Sequence, residues 1–104
     1  MFNYLNVLTP SEKELNEMKL RFRLADGCLE ACSPDLSRVN EFTFAALTHL
    51  AMIKNLNIDM SKYEQLQYGG KPDFESYRNT RDLLNQLDKL IQEKEIEIYE
   101  ELYK

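Results

Sequence analysis

The chain has 104 residues, 43% of them hydrophobic and 30% charged, with a formal net charge of -5 at pH 7. Those proportions exclude a disordered or low-complexity chain, and the length suits one domain with one core and no need of a disulfide or metal to support it. The acidic balance argues against a polyanionic partner, because nucleic-acid binding begins with Lys and Arg neutralising phosphates, and it points toward protein partners instead.

The opening residues Phe2, Tyr4, Leu5, Val7 and Leu8 suggest a short extended segment over 1–9, lying across a helical body. This stretch has no basic flank and no small-residue cleavage site, so it does not read as a signal peptide. No run in the chain approaches the roughly 20 apolar residues of a membrane span. The expectation is a cytoplasmic protein without membrane contact.

Thr9-Pro10-Ser11-Glu12 combines a capping hydroxyl, a proline at the first helical position and a Glu placed to bond back to the cap. The first helix is therefore predicted over 10–32. Leu15, Met18, Phe22, Ala25, Leu29 and Cys32 alternate by three and four along one stripe. Gly27 lies within that stripe and costs about 1 kcal/mol relative to Ala, which makes it the place where a bend would occur.

Ser33-Pro34 repeats the start signal and predicts a second helix over 34–55. Leu36, Val39, Thr43, Ala46, Leu50 and Ile53 share its stripe, and Phe42, Leu47, Ala51 and Met52 widen it. So broad an apolar face belongs to a central helix that touches more than one neighbour. Asn55 to Met60 reads as a connection. Ser61-Lys62-Tyr63-Glu64 is a second capping-box pattern, opening a short helix over 61–68 that Gly69-Gly70 ends.

Pro72-Asp73 begins the last helix, predicted over 73–103. Tyr77, Leu84, Leu87, Ile91 and Ile98 form its stripe, joined by Phe74, Leu83, Leu90 and Leu102. Such a helix is about 45 Å long at 1.5 Å per residue. A compact domain of this size has a radius of gyration near 13 Å and a diameter of roughly 34 Å, so the helix should overhang the body by several turns. The overhang carries Ile96, Ile98, Tyr99, Leu102 and Tyr103 interleaved with Glu93, Glu95, Glu97, Glu100 and Glu101. Acidic side chains at the negative end of a helix are electrostatically misplaced. Two readings follow: the helix frays or folds back near Glu95 as a solvated tail, or its apolar side packs on a second copy or a basic partner. In the second reading Ile96, Ile98, Tyr99, Leu102 and Tyr103 are the partner-binding residues, with homodimerisation the leading assembly.

Catalytic chemistry is sparsely represented. His49 is the one histidine and lies in the apolar second helix, where a hydrogen-bonded core or edge position is expected, although a helix hairpin could bring Cys28 or Cys32 toward it. Cys28 and Cys32, four apart on one helix face, read as small buried residues, and one histidine leaves too few ligands for zinc. The Glu-x-x-His pattern of bundle metal sites has Ala46 where its carboxylate would be. Gly69-Gly70-Lys71-Pro72 lacks the strand-loop-helix setting of a phosphate loop. The expectation is a non-enzymatic chain with no catalytic, cofactor-binding or metal-binding residues.

The run from Leu56 through Leu66 to Gly69-Gly70-Lys71-Pro72 resembles the turn and second helix of repressor-type helix-turn-helix domains, a resemblance that implies DNA binding as the alternative function. The would-be recognition helix, however, sets Asp59 and Glu64 beside Lys62. The basic groups Lys19, Arg21, Arg23 and Arg78, Arg81 have acidic neighbours and suit a salt-bridged surface better than a phosphate track. The expected fold is therefore all-α, a small bundle of three long helices and one short one. The expected role is a small acidic regulator, inhibitor or chaperone-like protein. In size and charge it is comparable to bacterial secretion chaperones, immunity proteins and phage-encoded inhibitors.

Overall fold

The computed structural model describes residues 8–103, so the extended segment expected over 1–9 lies almost wholly outside the described residues. The described chain is an all-α bundle with no strand among the described residues. It comprises α1 (Pro10–Glu30), α2 (Val39–Leu50) and α3 (Phe74–Leu102), with a nine-residue 3-10 helix, Met60–Tyr68, between α2 and α3.

The capping box at the start of α1 forms as expected. The Thr9 hydroxyl accepts from the Glu12 N–H at 3.1 Å, and the Thr9 N–H donates to the Glu12 carboxylate at 3.0 Å. The helix runs through Gly27 without a break. It stops at Glu30 rather than Cys32, because Pro34 disfavours helical backbone before it. The last amides, from Cys32 and Ser33, tighten onto carbonyls three residues back.

The second helix is much shorter than the predicted 34–55. After Pro34 the carboxylate of Asp35, not the Ser33 hydroxyl, takes a free amide, that of Ser37. The chain then makes one 3-10 turn, Leu36–Arg38, before α2 begins at Val39. At the other end α2 stops at Leu50, where Ile53 adopts extended backbone and turns Leu56 inward to be buried. Asn57, in the left-handed region at φ 48°, completes that reversal. As a result Leu36 and Met52, expected on the stripe, are more than half exposed, and Ala51 is exposed.

The short third helix is 3-10 throughout, not α, and Asp59 caps it in place of Ser61 by accepting the Ser61 N–H. Gly69 and Gly70 end it at φ 77° and 87°, values that a side chain would strain. Asp73 then caps α3, accepting from the Ser76 N–H at 3.0 Å and the Ser76 hydroxyl at 2.8 Å.

The core is built where the three α-helices meet. Met18, Ala25 and Leu29 of α1 close on Ala46 and Leu50 of α2 and on Leu84, Leu87 and Ile91 of α3, with Ile53 and Leu56 beneath. Each buried leucine or isoleucine contributes about 1.5–3 kcal/mol by leaving water. α2 is central as expected, packing on α1, α3 and the 3-10 helix. The radius of gyration, 16.2 Å, exceeds that of a compact domain because the described chain is 53 Å long and only 27 by 22 Å across.

Candidate interaction surface at the end of the last helix

α3 runs without interruption to Leu102, so neither fraying nor folding back occurs near Glu95. Its 29 residues span about 44 Å. α1 accompanies it in the opposite direction for most of that length. At one end Arg81 meets Asp26 at 3.3 Å and Glu30 at 3.1 Å, and its Nε donates to the Tyr77 hydroxyl. Toward the other end Lys94 meets Glu14 at 3.3 Å and Glu95 meets Lys19 at 2.9 Å. These pairs put the start of α1 roughly level with Ile98, so α3 extends beyond it by little more than one turn and not several.

The buried stripe of α3 ends at Ile91. Beyond it the residues sort by helical position into two flanks of different chemistry. Ile96, Tyr99 and Tyr103 share one flank and are 58%, 63% and 72% exposed, with Leu102 beside them at 67%. The rings of Tyr99 and Tyr103 stack with centroids 4.5 Å apart. Ile98 and Leu102 both continue the line of Leu84, Leu87 and Ile91, but of the five expected contact residues only Ile98 is half-buried. Glu93, Glu97, Glu100 and Glu101 occupy the opposite flank, all exposed and none ion-paired among the described residues.

The remaining polar groups are engaged in holding helices together. His49 Nδ1 lies 3.0 Å from an Arg21 guanidinium nitrogen, and Arg21 also meets Glu17 at 2.8 Å. A guanidinium has only donors, so Nδ1 is the acceptor and the ring proton sits on Nε2. The structure thus brings His49 to Arg21, while the Cys32 thiol donates to the Cys28 carbonyl. Burial pushes both thiols above their ordinary pKa, the opposite of what an activated nucleophile requires. No group of three or more His, Cys, Asp or Glu among the described residues is placed to hold a metal ion. No helix among them is long and apolar enough to cross a membrane.

Asn40 is not among the residues that the sequence pattern singles out. Its buried side chain donates to the carbonyls of Gly69 at 3.1 Å and Lys71 at 2.8 Å and accepts the Asp73 N–H at 2.7 Å, tying α2 to the loop before α3. The one available signal was an amide in the first turn of an otherwise apolar helix. Arg81, one of the basic groups that the sequence assigns to a salt-bridged surface, ties α3 to Asp26 and Glu30 of α1 while its Nε donates to Tyr77 on its own helix.

No known family model matches this chain, and neither the curated proteins nor the solved structures contain a match to it.

Proposed function

We propose that this chain is a non-enzymatic protein–protein interaction module, acting as a small regulator, inhibitor or chaperone-like protein, and that the last two turns of α3 are its binding surface. One observation carries the reading: Ile96, Tyr99, Leu102 and Tyr103 stand exposed together on a helix that continues past the end of the buried core. Aromatic side chains of this kind anchor interfaces because each removes a large apolar area from water at little conformational cost. A helix turn with nothing of its own to bury gains its stabilisation on binding.

Deleting residues from Ile96 onward tests it. The truncated chain should keep the helical content and cooperative unfolding of the remaining bundle, since the core ends at Ile91. It should lose self-association in sedimentation equilibrium or binding to a partner that the intact chain holds. Unchanged assembly together with unchanged partner binding refutes the proposal.

A further inference from the structure

We infer that the occupant of this surface is a basic amphipathic helix of another protein, laid alongside the end of α3, rather than a second copy of this chain. The inference rests on the interaction reading above and deepens it by naming the partner's chemistry.

Shape is the first argument. α3 packs on both α1 and α2, but α2 has only 12 residues, about 18 Å, and cannot accompany α3 along its length. The Arg21–His49 contact sets the end of α2 opposite the middle of α1. Beyond Glu95, only the first turn of α1 lies beside α3 among the described residues. A helix laid along this free end would cover Ile96, Tyr99 and Tyr103, which the described residues leave exposed.

Charge is the second. Glu97, Glu100 and Glu101 lie on the opposite flank, with Glu100 one turn beyond Ile96, just where the aligned peptide dipoles of α3 end in partial negative charge. The two sources of negative potential add, at some expense to the helix itself. A cation brought near by a partner relieves both, and the ring faces of Tyr99 and Tyr103 favour Lys or Arg as well. A second copy would bring the same glutamates and the same net charge of -5 against these. Like charges set face to face disfavour that pairing.

The test uses the full chain with photoreactive benzoylphenylalanine in place of Tyr103. The probe is a synthetic helix of about 18 residues, five turns, with leucines on one face and lysines on the other. Two controls accompany it: the same helix with glutamates for lysines, and a shuffled peptide of the first composition with no segregated face. The expected result is saturable crosslinking to the lysine helix alone. It should weaken about tenfold or more when Glu97, Glu100 and Glu101 are changed to Lys, and stay unchanged when the exposed Glu64, Glu75 and Asp82 are reversed instead. Equal capture of the shuffled peptide, or equal loss in both triple variants, overturns the inference, because net charge alone then explains binding. A covalent dimer as the main product overturns the basic partner while leaving the interaction reading intact. Crosslinking only within one chain, to Phe2–Val7, overturns both.

Discussion

The Asn40 side-chain oxygen accepts the backbone N–H of Asp73 at 2.7 Å, so a buried residue in the first turn of α2 sets the residue that caps α3. The same amide nitrogen donates to the carbonyls of Gly69 and Lys71, satisfying loop groups that no helix or sheet ladder serves. Replacing Asn40 by Leu is expected to cost about 2–3 kcal/mol, because three backbone groups lose their partner at once. Asn40→Asp should be no milder: it keeps the bond to Asp73 but turns a carboxylate toward two carbonyls. Urea unfolding measures both, and a loss under about 0.5 kcal/mol for either would show that water replaces the side chain freely.

The capping carboxylates make stability depend on pH. The backbone N–H of Ser76, then its hydroxyl, holds Asp73 below the ordinary aspartate pKa, and Ser61 acts on Asp59 the same way through its hydroxyl and then its N–H. A depressed folded pKa contributes stability that is present above the unfolded value of about 3.9 and is lost as pH falls through the lower folded value. The wild-type urea midpoint should therefore be level above about pH 5 and decline below it. Asp73→Asn keeps a capping side chain but removes the titration, so its decline should be shallower. An identical slope in wild type and variant would remove Asp73 from the account.

Two buried threonines should respond oppositely to valine. The Thr43 hydroxyl faces the Cys32 thiol but is buried without a hydrogen-bond partner of ordinary geometry. Thr43→Val relieves that unpaired oxygen and should be neutral or stabilising by up to about 1 kcal/mol. The Thr80 hydroxyl donates to the Ser76 carbonyl at 2.7 Å, and Thr80→Val should cost about 1 kcal/mol. Thermal melts of the two variants, compared with the wild type, decide whether the signs differ.

The thiols should react slowly and unequally. Only the thiolate attacks an alkylating reagent, and burial raises the pKa of Cys28 and Cys32 alike. Cys32 is 2% exposed, so its labelling at pH 8 should require opening of the bundle and accelerate in low urea. Cys28, half-buried, should react first, though more slowly than a cysteine in a free peptide. Mass spectrometry of a labelling time course reads both rates.

The division of α3 into a structural and a free part has a direct test. Leu87→Ala removes a fully buried side chain and should cost about 2–5 kcal/mol. Leu102→Ala and Tyr103→Ala, at 67% and 72% exposure, should each change stability by less than about 0.5 kcal/mol. A large loss at either of the last two positions, measured by urea unfolding, would mean that the end of α3 supports the fold and is not held in reserve for binding.

Much of this architecture was legible in the linear chain because its causes are local. The Thr9–Glu12 capping box, the stripe of Met18, Ala25 and Leu29, and the stripe of Leu84, Leu87 and Ile91 each depend on residues within a few turns of one another. The boundaries of α2 were not legible. Asp35 and Ser33 are both good caps, and which one takes the amide depends on where Pro34 sends the chain. Leu50 is followed by no Gly or Pro, and the helix ends there because burying Ile53 and Leu56 requires an extended turn. Ser61 and Asp59 compete in the same way, and Asp59, one step earlier, wins.

By itself the sequence determined that this is an all-α chain, with a first helix starting at Pro10 and a last one that neither proline nor glycine interrupts, because periodicity and caps act over a few residues. Tertiary structure alone decided how far each neighbour reaches along α3. That depends on where α2 stops and how α1 is registered by Arg81, Lys94 and Glu95, contacts between residues more than 50 positions apart in the chain. It also separated Ile98, which the body half covers, from Ile96, Tyr99, Leu102 and Tyr103, which it leaves in water. All five lie within eight residues of an apolar, acidic helix, and only the packing of the rest of the chain tells them apart.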